Sequence, residues 1–176
     1  MGTIPGAALV LTMIDKLRGH GSWSGETHLQ KAMFFFDHVN AKGTSFDFVL
    51  YKHGPYSFDL HDTLSLLFAL SLLEHESVPP YGPRIRLTNS GKRFLAQHDE
   101  LSDGVKTDIR NVAGWLGNKG VSDLEKFATA LWVTMENPQA EQEARARRIH
   151  DIKPHISIDQ ARYALQQIGS MPARSA

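Results

Sequence analysis

The chain has 176 residues and a mass of 19.6 kDa, with 19 basic and 19 acidic side chains, 9 histidines and 41% hydrophobic residues. That length suits one domain, or one domain with a helical extension, and can bury roughly 70% of the unfolded surface without a covalent staple. The absence of cysteine excludes a disulfide scaffold, a thiolate metal site and cysteine catalysis, and a formal charge of zero provides no overall field to gather nucleic acid or an anionic membrane.

Between Ala7 and Arg18, Val10, Leu11, Met13, Ile14 and Leu17 fall at helical spacing, and Gly19 with Gly21 supplies the stop, which predicts a first helix. The uncharged start lacks a basic leader and a small-residue cleavage site, so no signal peptide is expected. Thr27 and Gln30 have capping-box spacing at the head of a second helix that runs to about Asn40, with Leu29, Met33, Phe36 and Val39 on one face. The run TSFDFVLY at 44–51 alternates Phe46, Phe48 and Leu50 against polar positions and predicts a strand. KHGPYS, Lys52 to Ser57, predicts a turn, because Pro55 presets its own backbone angle and Gly54 tolerates unusual ones.

Ser57 is placed to cap a third helix, with Asp59 against its positive end. Apolar residues at 60, 64, 66 to 70, 72 and 73 cover nearly its whole circumference, which predicts a core or interface helix. Its uncharged stretch, Thr63 to Leu73, is about half of the roughly 20 residues that span a bilayer. No membrane partner is therefore expected, and a cytoplasmic location is. VPPYGPRIRLT then sets prolines and glycine between two short extended runs, and the strand Arg84 to Leu87 feeds Thr88, a cap for the helix NSGKRFLAQ. The remainder reads as helical: about Glu100 to Trp115, a helix opened by Ser122 and Glu125 as a capping box, one opened by Asn137-Pro138, and a last opened by Ser157 and Gln160 and ended by Gly169. Residues 170–176 are expected to form a disordered tail.

The order helix, helix, strand, helix, hairpin, with LTNSGKRFL leaving the hairpin, resembles a winged helix. HLQKAMFFFDHV, then FVLYKHGPYSFDL, then the wing resemble the Panacea or SocA-like antitoxin domain and the related YwgA-type proteins over about Leu9 to Gln97. ATALWVT and IHDIKPHISIDQARYAL are similar to the helical tail of that group. The resemblance implies a mainly α fold with a small β-hairpin: a winged-helix-like part at 6–98 and a helical C-terminal part packed on it at 99–169. It also implies a non-catalytic antitoxin that binds a partner toxin, or a component of a prokaryotic toxin-antitoxin or phage-defence system.

A winged helix ordinarily suggests DNA reading by its third helix. Here the segment between Lys52 and Arg84 holds no Lys or Arg, and it carries Asp59, Asp62, Glu74 and Glu76. Phosphates repel such a segment, and no arginine is present for paired bonds to guanine. A protein partner suits the chemistry better. Three consecutive aromatics, Phe34 to Phe36, spread over about 200° of helix, more than one core face absorbs. The expected protein-binding residues are Phe34 and Phe35, with Tyr51, His53 and Tyr56 around the Gly-Pro turn, and the same patch could support self-association. The alternative, a DNA-binding transcriptional regulator, rests on Arg84, Arg86, Lys92 and Arg93. Gln30 and Lys31 read as a capping partner and a solvated helix face, and EQEARARRIHDIK at 141–153 reads as a helix laced with ion pairs such as Glu141 to Arg145.

No cofactor or metal is expected. No two histidines have the spacing that sets both on one helix face, and His53, Asp59, His61 and Asp62 are the one cluster of candidate ligands. Ser57 lacks the strand-turn-helix context of a nucleophile, and there is no glycine-rich phosphate loop.

Overall fold

A computed structural model describes residues 3–175. Its elements run α1 (Thr3–Gly19), α2 (Glu26–Val39), β1 (Val49–Tyr51), β2 (Gly54–Tyr56), α3 (Phe58–Ala69), β3 (Leu73–Glu76), β4 (Arg84–Leu87), α4 (Asn89–Gln97), α5 (Asp103–Leu116), α6 (Val121–Glu136), α7 (Gln142–Ile152) and α8 (Ile158–Ile168). The fold is mainly α, as expected, with two antiparallel hairpins, β1-β2 and β3-β4. No helix among the described residues is long and apolar enough to cross a membrane.

Helix α2 lies at the centre. Ten of its 14 residues are buried, because α1, α5, α6 and β2 pack around it. A helix enclosed in this way can be apolar all round, and so Phe34, Phe35 and Phe36 are all buried, at 3%, 1% and 1% exposure. This corrects the expectation that Phe34 and Phe35 meet a partner. Phe34 packs against Phe48 and Trp132 with ring centroids 5.4 and 6.1 Å apart, and Phe35 packs edge-on against Trp115 at 5.0 Å. The two tryptophans come from α6 and α5, so the C-terminal helices cover the aromatic face. Buried residues from both parts of the chain form one core cluster.

The predicted turn at 52–57 is a hairpin. Tyr51 pairs with Gly54 and Val49 with Tyr56, and the strand expected from 44 begins only at Val49. Gly54 has φ +90°, and a Cβ there would sit 3.3 Å from Thr129 Oγ1 and 3.5 Å from Lys31 Cε. Both the backbone angle and the close approach of α6 therefore require glycine. The second hairpin pairs Glu74 with Arg86 and Glu76 with Arg84. Thr88 then bolts α4 to the end of α3: its N–H donates to Leu72 O and its hydroxyl donates to Ser71 O, at 3.0 and 2.6 Å. Gly91 lies so close to Leu72 that a Cβ would drive into the Leu72 carbonyl.

Three predicted helix starts are confirmed by their bonds. The Ser57, Thr88 and Ser157 hydroxyls accept from the N–H groups of Leu60, Gly91 and Gln160, and Ser157 with Gln160 completes a capping box. Three other readings need correction. Thr27 does not cap α2, which starts after Gly25, and the Gln30 side chain is taken by Ser57 instead. Helix α6 starts after Gly120 and not at Ser122, because Glu125 is drawn to Lys153 and His155. Asn137-Pro138 ends in a turn, and α7 begins at Gln142. The expected disordered tail is also placed as far as Ser175, whose N–H donates to Val39 O at 2.8 Å and whose hydroxyl accepts from Ala41 N–H; Ala176 lies outside the described residues.

Candidate functional site

The β1-β2 hairpin is clamped from beneath by residues of α2, α6 and the segment after α7. Gln30 makes a reciprocal pair with the Ser57 backbone: its oxygen accepts from Ser57 N–H at 2.8 Å and its amide donates to Ser57 O at 2.9 Å. Lys31, 1% exposed, donates to Pro55 O at 2.8 Å. Lys153, 7% exposed, donates to Tyr51 O at 2.7 Å and also to Lys52 O. Two ammonium groups thus hold backbone carbonyls on both strands of the hairpin.

Lys31 is therefore not on a solvated helix face, and its burial has an electrostatic consequence. Loss of hydration, with Lys153 nearby, pushes its ammonium down to about 8, opposed by the Glu125 carboxylate. Glu125 Oε1 sits 3.7 Å from Lys153 Nζ and 3.1 Å from His155 Nε2. Thr129 Oγ1, in the same layer, is buried without a hydrogen-bond partner. With both ammonium groups spent on backbone carbonyls, this layer positions the hairpin.

The clamp turns aromatic side chains outward. Tyr51 and Phe58 are 55% and 54% exposed, and their rings lie 5.7 Å apart. Tyr56 sits between them, 5.7 Å from Tyr51 and 5.1 Å from Phe58. Its hydroxyl donates to Glu26 Oε1 at 3.1 Å, which also lies 2.8 Å from His61 Nδ1. Partial burial, reinforced by the Glu26 carboxylate, pushes the Tyr56 phenol up to about 12. The surface continues along α3, where Phe58, Asp62, Leu66 and Leu70 recur at helical spacing on one exposed stripe. The buried side of α3 is Leu60, Leu64 and Leu67, so the helix is covered on one side only and its surplus apolar residues face out. Leu66 and Leu70 are 45% and 57% exposed.

Of the predicted protein-binding residues, the structure brings Tyr51 and Tyr56 together on this face. His53 is exposed at the hairpin tip, and Phe34 and Phe35 lie in the core. Phe58, Leu66 and Leu70 were missed as site residues. The usable signal was the surplus of apolar positions on the third helix. Among the described residues no group of three or more His, Asp and Glu is gathered to hold a metal, and His61 is engaged by Glu26.

Of the four basic residues expected on a DNA-binding face, Arg84 and Arg86 are engaged. Arg84 donates to Trp23 O and Ser22 O, and Arg18 and Arg84 flank Glu76, whose carboxyl is held below its usual range chiefly by the hydrogen bond from Arg18. Arg86 pairs with Glu74 at 2.9 Å. Lys92 and Arg93 remain exposed on α4. No protein-family model matches the chain, and no curated relative is found.

Proposed function

We propose that the chain is a non-catalytic protein-binding module that captures its partner on the Tyr51, Tyr56, Phe58, Leu66 and Leu70 face. The exposed row of aromatic and leucine side chains, with Asp62 within it, carries this reading. Tyrosine and phenylalanine give large contact area at small rotamer cost, and buried aromatic anchors dominate binding energy at protein interfaces. Asp62 lies within the stripe and Asp59 and Glu26 border it, with no Lys or Arg between Lys52 and Arg84. The partner surface that fits is therefore apolar with basic residues around it. The same acidic border opposes a phosphate backbone. The motif resemblance to the Panacea or SocA-like group supports a toxin or phage-defence component as that partner, in a prokaryotic cytoplasm.

The test is site-specific photo-cross-linking in the native host from position 66, with a control probe at position 92 on α4. The reading expects one defined protein adduct from position 66 and none from 92. Adducts to nucleic acid would replace it with the regulator reading, and a protein adduct from 92 alone would remove this face as the binding surface.

A further inference from the structure

Helices α6, α7 and α8 pack on one another and are joined by short turns, so they run alternately up and down. Where the close of α6 meets the first turn of α7 and the close of α8 lies a cavity of about 730 Å3, within the usual range for small-molecule sites. Its apolar lining is aliphatic. Leu131 of α6 and Leu165 and Ile168 of α8 are buried there, with Met135 and Met171 beside them, and Met135 is left 45% exposed. No Phe, Tyr or Trp among the described residues lines the space, so it offers a flat ring nothing to stack on. Unbranched methionine side chains adapt instead to a flexible chain.

The charge of the lining is one-sided. Arg145 and Arg174 border the cavity, and no Asp or Glu among the described residues does. Arg145 does not take up the pairing with Glu141 that its spacing suggests. It donates from Nη2 to Pro138 O at 2.7 Å, and its Nε is buried without a hydrogen-bond partner. Buried donors are rarely left unsatisfied, and a guanidinium fork matches the two oxygens of a carboxylate.

The acids that adjoin lining residues in sequence do not supply that partner. Glu136 is engaged by Trp132 and Arg148, Glu143 by Arg162, and Asp37 by Thr44, while Glu141 is exposed outside the lining. Arg174 stands on the segment that Ser175 ties to Val39 O, close enough to His38 to hold that ring, together with its burial, below its usual basicity.

We propose that this cavity binds a straight-chain aliphatic carboxylate. The chain lies against Leu131, Leu165, Met135 and Met171, the carboxylate takes the Arg145 guanidinium as its counter-ion, and Arg174 adds to the attraction at the tail side. The site shares no residue with the partner face and does not depend on it.

The test is a titration of protein labelled with 15N and with 13C-methyl methionine, using decanoate, octanoate, octylammonium and acetate. Decanoate should saturate shifts of the Met135 and Met171 methyls with a Kd of ~0.1 mM or tighter. The core methyls of Met13 and Met33, both fully buried, serve as internal references. Octanoate, two methylenes shorter at about fourfold each, should bind ~10-fold more weakly than decanoate. Octylammonium, with the opposite charge, and acetate, with no chain, should each bind at least ~10-fold more weakly than octanoate. Met135→Glu sets a carboxylate in the cavity at an exposed helix position, so it should leave the melting temperature unchanged and weaken decanoate ~10-fold or more, read at Met171. Arg145→Gln should weaken decanoate by a similar factor. No saturation by decanoate below ~10 mM, equal affinity for octylammonium and octanoate, shifts centred on Tyr51, Phe58 and Leu66 instead, or undiminished affinity in either folded variant would overturn the proposal.

Discussion

Replacing Lys31 with methionine removes a buried ammonium and leaves the rest of the hairpin seat in place. In the folded chain this group protonates at about 8 against an ordinary 10.5, so between those values the unfolded state binds more protons than the native state. Native stability therefore rises with pH through this window. A depression of that size makes the charged lysine cost on the order of 3 kcal/mol below pH 8, of which about 2 kcal/mol is recovered between pH 7 and 9.5. Lys31→Met escapes that cost but leaves Pro55 O without its donor, a loss of ~1–3 kcal/mol. The two terms nearly cancel at pH 7, whereas at pH 9.5 the variant should be less stable than wild type by about 2 kcal/mol. Urea unfolding at pH 7.0, 8.0, 9.0 and 9.5, with both proteins in the same buffers, gives the difference directly and subtracts the other titrating groups. Parallel pH profiles for the two proteins would refute the argument that Lys31 is a desolvated cation seated on the hairpin carbonyl.

Three further outcomes follow from the packing. Phe34→Ala should lose ~3–5 kcal/mol of unfolding free energy, because it empties a site lined by Phe48 and Trp132, while Phe58→Ala should stay within about 0.5 kcal/mol of wild type in the same urea assay. Gly91→Ala should destabilise by ~1–3 kcal/mol or fail to fold, since the added methyl meets the Leu72 backbone and not a flexible side chain. Arg84→Glu with Arg86→Glu sets like charges opposite Glu76 and Glu74, so the melting temperature should drop by several degrees. Retardation of a random DNA duplex at low salt should be negligible before and after that change; salt-sensitive retardation by wild type, abolished in the variant, would establish the β3-β4 hairpin as a DNA contact.

The parts of this fold that were legible in the sequence are those decided within a few residues. Ser57, Thr88 and Ser157 cap helices because a hydroxyl and the N–H it accepts from lie three positions apart, whatever surrounds them. Thr27 with Gln30 and Ser122 with Glu125 have the same spacing and fail, because each second residue has a better partner far along the chain: the Ser57 backbone for Gln30, Lys153 and His155 for Glu125. Lys31 reads as solvated for the same reason, since nothing local reveals that residues 125 to 153 return to enclose it. Phe34 and Phe35 were misplaced because the rings that cover them, Trp132 and Trp115, lie some 80 to 100 positions away. The third helix was different. Its excess of apolar positions did register, and the structure divides them into a buried row and an exposed one, which is where Phe58, Leu66 and Leu70 enter the candidate site.

The most direct measurement is the affinity of the partner recovered by cross-linking, purified, for wild type and for the single variant Phe58→Asp. Phe58 is exposed and its loss leaves the core untouched, so the melting temperature should not move, while a charge set among Tyr51, Tyr56 and Leu66 should weaken capture ~100-fold or more. Affinity within twofold of wild type for a correctly folded Phe58→Asp protein would contradict the assignment of this face.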